Sequence, residues 1–213
     1  MQKIDKSQIL STNYKTWHDG LGDIHDKYTS TKHKYYHDIK MSLLYCQKGL
    51  CAYTEDMLCD EKYFEISNWQ NGQYNTSLTQ NQKNQIQGDL EHFDESIKPQ
   101  KAWLWDNLFI VNTYINCRVK HTKPIKNILK PDSSTYDPYI YLAFDYETDV
   151  FFPNINLTSQ VKDDVFYMIE VLGINCVTQR KKQLQEWKDR LDVGLSVNPY
   201  RFITAWNMTL QNL

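Results

Sequence analysis

The sequence predicts an α+β fold, a compact ββα unit with further α-helices around it, on three observations. Two short strand-like runs, GDLEHF at 88–93 and NLFIV at 107–111, are followed at Thr113 by a helix start. All of this falls within about 35 residues, a length that short connections allow. Apolar residues recur at helical spacing at 33–47 and again through the last third of the chain.

Taken in order, residues 1–32 are polar and mixed, with Gly20 and Gly22 marking a turn, and read as an arm or short helices. A helix is predicted over 33–47, where Tyr36, Ile39, Leu43 and Leu44 form one stripe and Gly49 suits the stop. Asn and Gln dominate residues 68–87, a bias that reads as an exposed polar insertion. The two strands and their helix follow. Thr113 is the expected cap, and the helix should run through Asn116 and Lys120 and end before Pro124. YIYLAFDY at 139–146 has strand character. Helices are predicted at 159–172, stopping at Gly173, at 178–191, and from Pro199 through Phe202, Ile203, Trp206 and Leu210. The expected organisation is therefore residues 1–32, a core at 33–135 with its insertion at 68–87, and a mainly helical region at 136–213.

Composition excludes several classes. Seven Gly and six Pro rule out collagen-like and linker-like chains. No apolar run approaches the roughly 20 residues a membrane-spanning helix needs, so no membrane association is expected. The opening MQKIDKSQIL lacks the apolar stretch of a secretory signal, and a cytoplasmic protein is the expectation. Five cysteines without a CxxC pair read as reduced thiols, several of them buried.

The chemistry concentrates in Glu91, His92, Asn107 and Asn116. A hydrolytic nuclease must activate a water, offset charge on a phosphate and stabilise the departing oxygen. A hard divalent cation on oxygen ligands serves the last two, and a neutral imidazole serves the first. Glu91 and Asn116 are the candidate metal ligands, His92 the candidate base, and Asn107 the residue that ties down the intervening loop. Adjacent strand side chains alternate in direction, so the strand must twist near His92 for this to work. His121, about 140° around the helix from Asn116, is left out of the metal set.

Net charge is −2, but residues 98–130 hold seven basic residues against one acid, Asp106, a local charge of +6. Lys98, Lys101, Arg118, Lys120, Lys123 and Lys126 are the candidate phosphate contacts. An ordinary solvated helix face is the plainer account of the same residues.

These residues resemble a known family. EHF followed by WLWDNLFIVNTYINCRVK is similar to the core of HNH endonucleases. LLYCQKGLCAYTE at 43–55, DPYIYLAFDYETDVFFP and VLGINCVTQRKKQL resemble later and earlier blocks of one HNH subfamily, so the match spans about 43–191. That subfamily is similar to the nuclease subunit of Septu-type anti-phage defence, found also beside some retrons. The resemblance implies an HNH ββα-metal core, Mg²⁺ or another divalent cation such as Mn²⁺, a DNA or RNA substrate, and a hetero-oligomer with an ABC/SMC-like ATPase. It gives Glu91 the metal-ligand role, His92 the base, Asn107 the loop-fixing role and Asn116 the last ligand.

The chain departs from the pattern at its structural zinc. The two CxxC positions read Cys51-Ala-Tyr-Thr54 and Asn112-Thr-Tyr-Ile115, leaving one thiolate of four. Tetrahedral zinc needs about four good ligands, so structural zinc is expected to be absent, with packing by Tyr53, Trp103, Trp105, Phe109 and Tyr114 in its place. Cys46, Cys51, Cys59 and Cys117 form the alternative replacement set. Two further readings stay open: a catalytically inactive subunit that docks on the ATPase, motivated by the lost cysteines and by Tyr200, Phe202 and Trp206, and a zinc-finger-like reader of nucleic acid.

Overall fold

A computed structural model of the chain describes residues 1–75 and 77–211. The expected C-terminal region runs to 213, and its last two residues lie outside that range. The fold is α+β, with helices and small antiparallel sheets. Contacts divide it into two compact units. The N-terminal unit holds Ile4–Ala52 and Met57–Ile125, and the C-terminal unit holds Met1–Lys3, Tyr53–Asp56 and Lys126–Leu213. The division thus falls at Ile125, ahead of residue 135, and most of residues 1–32 belongs to the N-terminal unit.

The N-terminal unit begins with α1 (Thr12–Asp19), capped by Ser11, whose hydroxyl accepts from the Tyr14 amide. Helix α2 (Tyr36–Cys46) buries Ile39, Leu43 and Leu44, three of the four residues of the predicted stripe that are fully enclosed. Gly49 adopts φ +74°, and a Cβ there would sit 2.2 Å from the Cys59 carbonyl oxygen, so the turn after α2 requires glycine. The Asn/Gln-rich segment is more ordered than its composition predicts. It forms a hairpin of β1 (Trp69–Gln70) and β2 (Gln73–Tyr74), then α3 (Gln80–Gln85). The physical reasons are local: Gly72 at φ +76° makes the turn, and Thr79 and Gln82 form a reciprocal capping box.

Strand β3 (Asp89–His92), the short helix α4 (Lys98–Lys101) and strand β4 (Leu108–Val111) follow. The two strands pair antiparallel, Glu91 opposite Phe109 and His92 opposite Leu108. All four residues of β4 are buried. Its outer edge is covered rather than exposed. The Gln47 side chain accepts from the Ile110 amide at 2.9 Å and donates to the Ile110 carbonyl at 2.8 Å. Lys6, itself buried, donates to the Leu108 carbonyl at 2.9 Å and lies 4.3 Å from the Phe109 ring centroid.

The helical segment after β4 is capped by Asn112, not Thr113: the Asn112 side-chain oxygen accepts from the Tyr114 amide at 2.9 Å. It continues as a π-helix over Ile115–Lys120 and ends at His121, where φ is +47°. Of the residues expected to replace zinc packing, Trp103, Trp105 and Phe109 are buried in this unit and Tyr53 is buried in the other, but Tyr114 is 62% exposed. The helix that carries Tyr114 turns Ile115 inward instead.

The C-terminal unit contains α5 (Pro138–Tyr141), then β5 (Leu142–Asp145) paired antiparallel with β6 (Val150–Pro153). The predicted strand at 139–146 therefore starts as a helical turn, because Asp137 caps it and Pro138 holds its first position. Helix α6 (Ser159–Leu172) stops at Gly173 in the left-handed conformation, as the sequence predicts. Helices α7 (Arg180–Asp192) and α8 (Ile203–Leu210) complete the unit. Arg180 is fully buried between the Phe144 and Phe151 rings, with Nε 2.7 Å from Asp149 and Nη1 on the Ile174 carbonyl. Phe202 and Trp206 are core residues, so of the aromatics that suggested docking only Tyr200 is exposed. No helix among the described residues is long and apolar enough to cross a membrane.

Candidate active site

All four candidate residues lie in the N-terminal unit, on β3, immediately before β4 and on the helical segment after it. Glu91 and His92, at the end of β3, are each 1% exposed, and Asn107, one residue before β4, is 3% exposed. Asn107 bridges the loop between the strands. Its Oδ1 accepts from the Asp94 amide at 2.8 Å, and its Nδ2 donates to the Asp94 carbonyl at 3.0 Å. A carboxamide is the side chain that offers one acceptor and one donor side by side, so this position reads both backbone groups of one residue.

The His92 imidazole donates from Nε2 to the Ala102 carbonyl at 2.8 Å. A carbonyl only accepts, so the neutral ring carries its proton on Nε2 and keeps a lone pair on Nδ1. The Tyr28 ring packs edge-on against the imidazole, centroids 4.9 Å apart, and the Lys98 ammonium lies 4.7 Å from the Tyr28 centroid. Burial holds the imidazole down at about 4, opposed by the bond to Ala102.

Glu91 meets a partner the sequence reading had assigned elsewhere. Lys120, expected to contact phosphate, is fully buried, with its Nζ 2.5 Å from Glu91 Oε1 and 2.9 Å from the His92 carbonyl oxygen. The reason is helical position: four residues on from Asn116, Lys120 lies on the same side of the helical segment, over β3. Burial pushes the Glu91 carboxyl up to about 7, opposed by the Lys120 ammonium. Glu91 and His92 pair in unbroken register with Phe109 and Leu108, so β3 lacks the twist the sequence reading requires, and the carboxyl and the imidazole leave opposite faces of the strand. No hydrogen bond joins the two side chains directly among the described residues. Asn116 donates from Nδ2 to the Leu90 carbonyl at 3.4 Å, which sets its carboxamide against β3.

The remaining basic residues separate. Arg118 and Lys123 are exposed. Lys98 pairs with Glu95 at 3.0 Å and Lys101 with Asp23 at 3.4 Å, both half-buried. Lys126 belongs to the C-terminal unit and pairs with Asp164.

No protein-family model matches the chain, and no curated protein matches it.

Residues present fit a hard divalent cation in kind. Glu91 Oε2 is buried without a hydrogen-bond partner, and the only other ligand of the pair, Asn116, is also an oxygen donor. Among the described residues no cluster of three or more His, Cys, Asp or Glu is placed to hold a metal. Cys51 is buried and accepts from the Asn112 amide at 3.4 Å.

Tyr28, which covers His92 from more than sixty positions away, has no sequence signal as a site residue, and Lys120, on the face of Asn116 in the sequence, reads as a phosphate contact and not as the partner of Glu91. Tyr28→Ala is expected to let water reach the imidazole and move its pKa from about 4 toward 6.5. An NMR titration of the histidine ring protons checks this, and an unmoved His92 would show that other walls keep it dry.

The two buried titrating groups pull stability in opposite directions with pH. The Glu91 carboxyl is raised in the folded state, so its contribution is full below about 4.5 and is lost as pH rises to about 7. The His92 ring is lowered, so its contribution is full above about 6.5 and is lost as pH falls to about 4. The two contributions therefore oppose each other between pH 4 and 7 in the wild type. Glu91→Gln should uncover a stability that rises over that range, and His92→Gln one that falls. Denaturant melts of both variants in EDTA check the two slopes; parallel slopes would refute the assignment.

Proposed function

We propose that the chain is an HNH-type nuclease that hydrolyses phosphodiester bonds of DNA or RNA, as the effector subunit of an anti-phage defence system with an ABC/SMC-like ATPase partner. The observation that carries the reading is the His92 imidazole. It sits at the end of one strand of an antiparallel pair, fixed through Nε2 on the Ala102 carbonyl, where the loop clamped by Asn107 begins.

In this reading His92 Nδ1 takes a proton from a water as the water oxygen bonds to phosphorus. The phosphorus–oxygen bond to the leaving group breaks, and solvent returns a proton to the departing oxygen. Asn107 keeps the loop that presents the Ala102 carbonyl in register with β4, so the ring holds its tautomer. Glu91 and Asn116 would hold Mg²⁺ or Mn²⁺, which supplies charge neutralisation at the phosphate when bound. Arg118 and Lys123 are the exposed cations available to the nucleic-acid backbone.

The second reading, a non-catalytic subunit docked on the ATPase, is favoured by one observation: Lys120 already neutralises Glu91 at 2.5 Å, and both side chains are fully buried. The two readings separate in a cleavage assay on plasmid DNA and total RNA with Mg²⁺ or Mn²⁺, with the chain alone and with the ATPase. Strand breaks are the expected result. No cleavage in any combination leaves the docking reading.

A further inference from the structure

A cavity of about 210 Å³ in the N-terminal unit lies at the Asp89 end of β3. It is smaller than the roughly 300–1,000 Å³ of pockets for drug-sized ligands, and suits a single planar ring system. Its walls are the buried rings of Tyr36 on α2 and Tyr74 on β2, and its cover is Leu78 and Ile86 from the Asn/Gln-rich segment.

Two charged groups of opposite sign meet the ring's edge. The Lys40 ammonium is held at 2.6 Å from the Gly88 carbonyl and 3.3 Å from the Ile86 carbonyl, which fixes its position and leaves a third proton to donate. Asp89, the next residue after Gly88, lines the same cavity, and its carboxylate makes no hydrogen bond or ion pair among the described residues. Gly88 adopts φ +80°, and a Cβ there would lie 2.8 Å from both Ile110 and Leu58, so this corner is built to a fixed shape.

We infer that this cavity binds a guanine base of the nucleic-acid substrate. A carboxylate accepts from the ring and exocyclic N–H groups of guanine, while an adjacent ammonium donates to its O6. Adenine offers no such O6 acceptor, and cytosine and uracil lack the second ring that would reach between the tyrosine walls. Asp89 is two residues before Glu91 on β3, on the same face and about 7 Å along the strand, the reach of one nucleotide. The base so held would neighbour a phosphate presented to Glu91. Exposed Lys83 stands at the rim to meet the backbone phosphate. This placement rests on the nuclease reading, whereas binding of the base does not.

The test has two arms on the full chain. In calorimetry with GMP, dGMP, AMP, CMP and UMP, GMP or dGMP is expected to bind at least tenfold more tightly than the others, and a GMP-over-dGMP difference identifies RNA as the source. Asp89→Asn is expected to lower guanine affinity about tenfold, since one good bidentate base contact accounts for roughly 5- to 150-fold discrimination, and Leu78→Trp to fill the cavity and lower it similarly. In the second arm, cleavage ends are mapped, with guanine expected beside the cut and that preference lost in both variants. Guanine binding without any cleavage would sink the nuclease reading and keep the pocket. Cleavage with neither guanine binding nor guanine at the cut would overturn the pocket and keep the nuclease.

Discussion

Lys120→Met should destabilise the N-terminal unit by about 3–5 kcal/mol, the usual cost of removing one partner of a buried ion pair. The ammonium holds Glu91 at 2.5 Å and the His92 carbonyl at 2.9 Å, and both Lys120 and Glu91 are fully buried. Methionine fills much of the same volume, so cavity formation contributes little. What remains is a carboxylate with no cation and a carbonyl with no donor. The loss should shrink below neutral pH, where the raised Glu91 carboxyl takes up a proton. The double variant Lys120→Met, Glu91→Leu should recover most of the stability, because an apolar pair of similar shape replaces a buried pair at little net cost. Tryptophans lie in both units, Trp103 and Trp105 in one and Trp187 and Trp206 in the other. Fluorescence would therefore mix their transitions. Hydrogen exchange of the β3 and β4 amides reads the right unit. A single-variant loss below about 1 kcal/mol would place the Lys120 ammonium in water rather than on Glu91.

The sequence made much of this fold legible. The stripe of Ile39, Leu43 and Leu44, the glycine stop at Gly173 and the strand-like runs at 88–93 and 107–111 are local signals, and each appears as an element close to its expected bounds. Composition misled at 68–87. Asn and Gln argue for loop, yet a Gly72 turn and a two-residue capping box suffice to order the segment around buried Tyr74. Tyr139 to Tyr141 misled the other way, since an Asp-Pro start outweighs the strand preference of tyrosine. Within the candidate site, Asn107 and His92 could be read from position in the ββα order. Lys120's place on the face of Asn116 could be read from spacing, but its pairing with Glu91 could not, because its side chain is long enough either to reach phosphate in solvent or to fold back over β3. The change to i→i+5 winding at Ile115–Lys120, with His121 ending it at positive φ, has no sequence signature that spacing arguments built on 3.6 residues per turn would detect.

The same helix turn sharpens what is expected of His92. If the imidazole is the base, His92→Ala should lower cleavage by about 10²- to 10⁴-fold, the range for removal of a positioned proton acceptor. Alanine also removes the donor to the Ala102 carbonyl, and an unpaired buried carbonyl costs about 1–3 kcal/mol, so stability must be followed beside activity. His92→Gln separates the two effects. Its amide can still donate to Ala102, but it carries no basic nitrogen, so it should keep the loop and lose cleavage to the same degree as alanine. The Asn107 clamp on Asp94 predicts a different pattern. Asn107→Asp loses the donor to the Asp94 carbonyl while leaving the imidazole intact, so cleavage should fall less than in His92→Gln. Cleavage by His92→Gln at the wild-type rate would remove the imidazole from the reaction. The Lys120-neutralised carboxylate would then stand as a structural pair, and the chain's work would lie in what it binds.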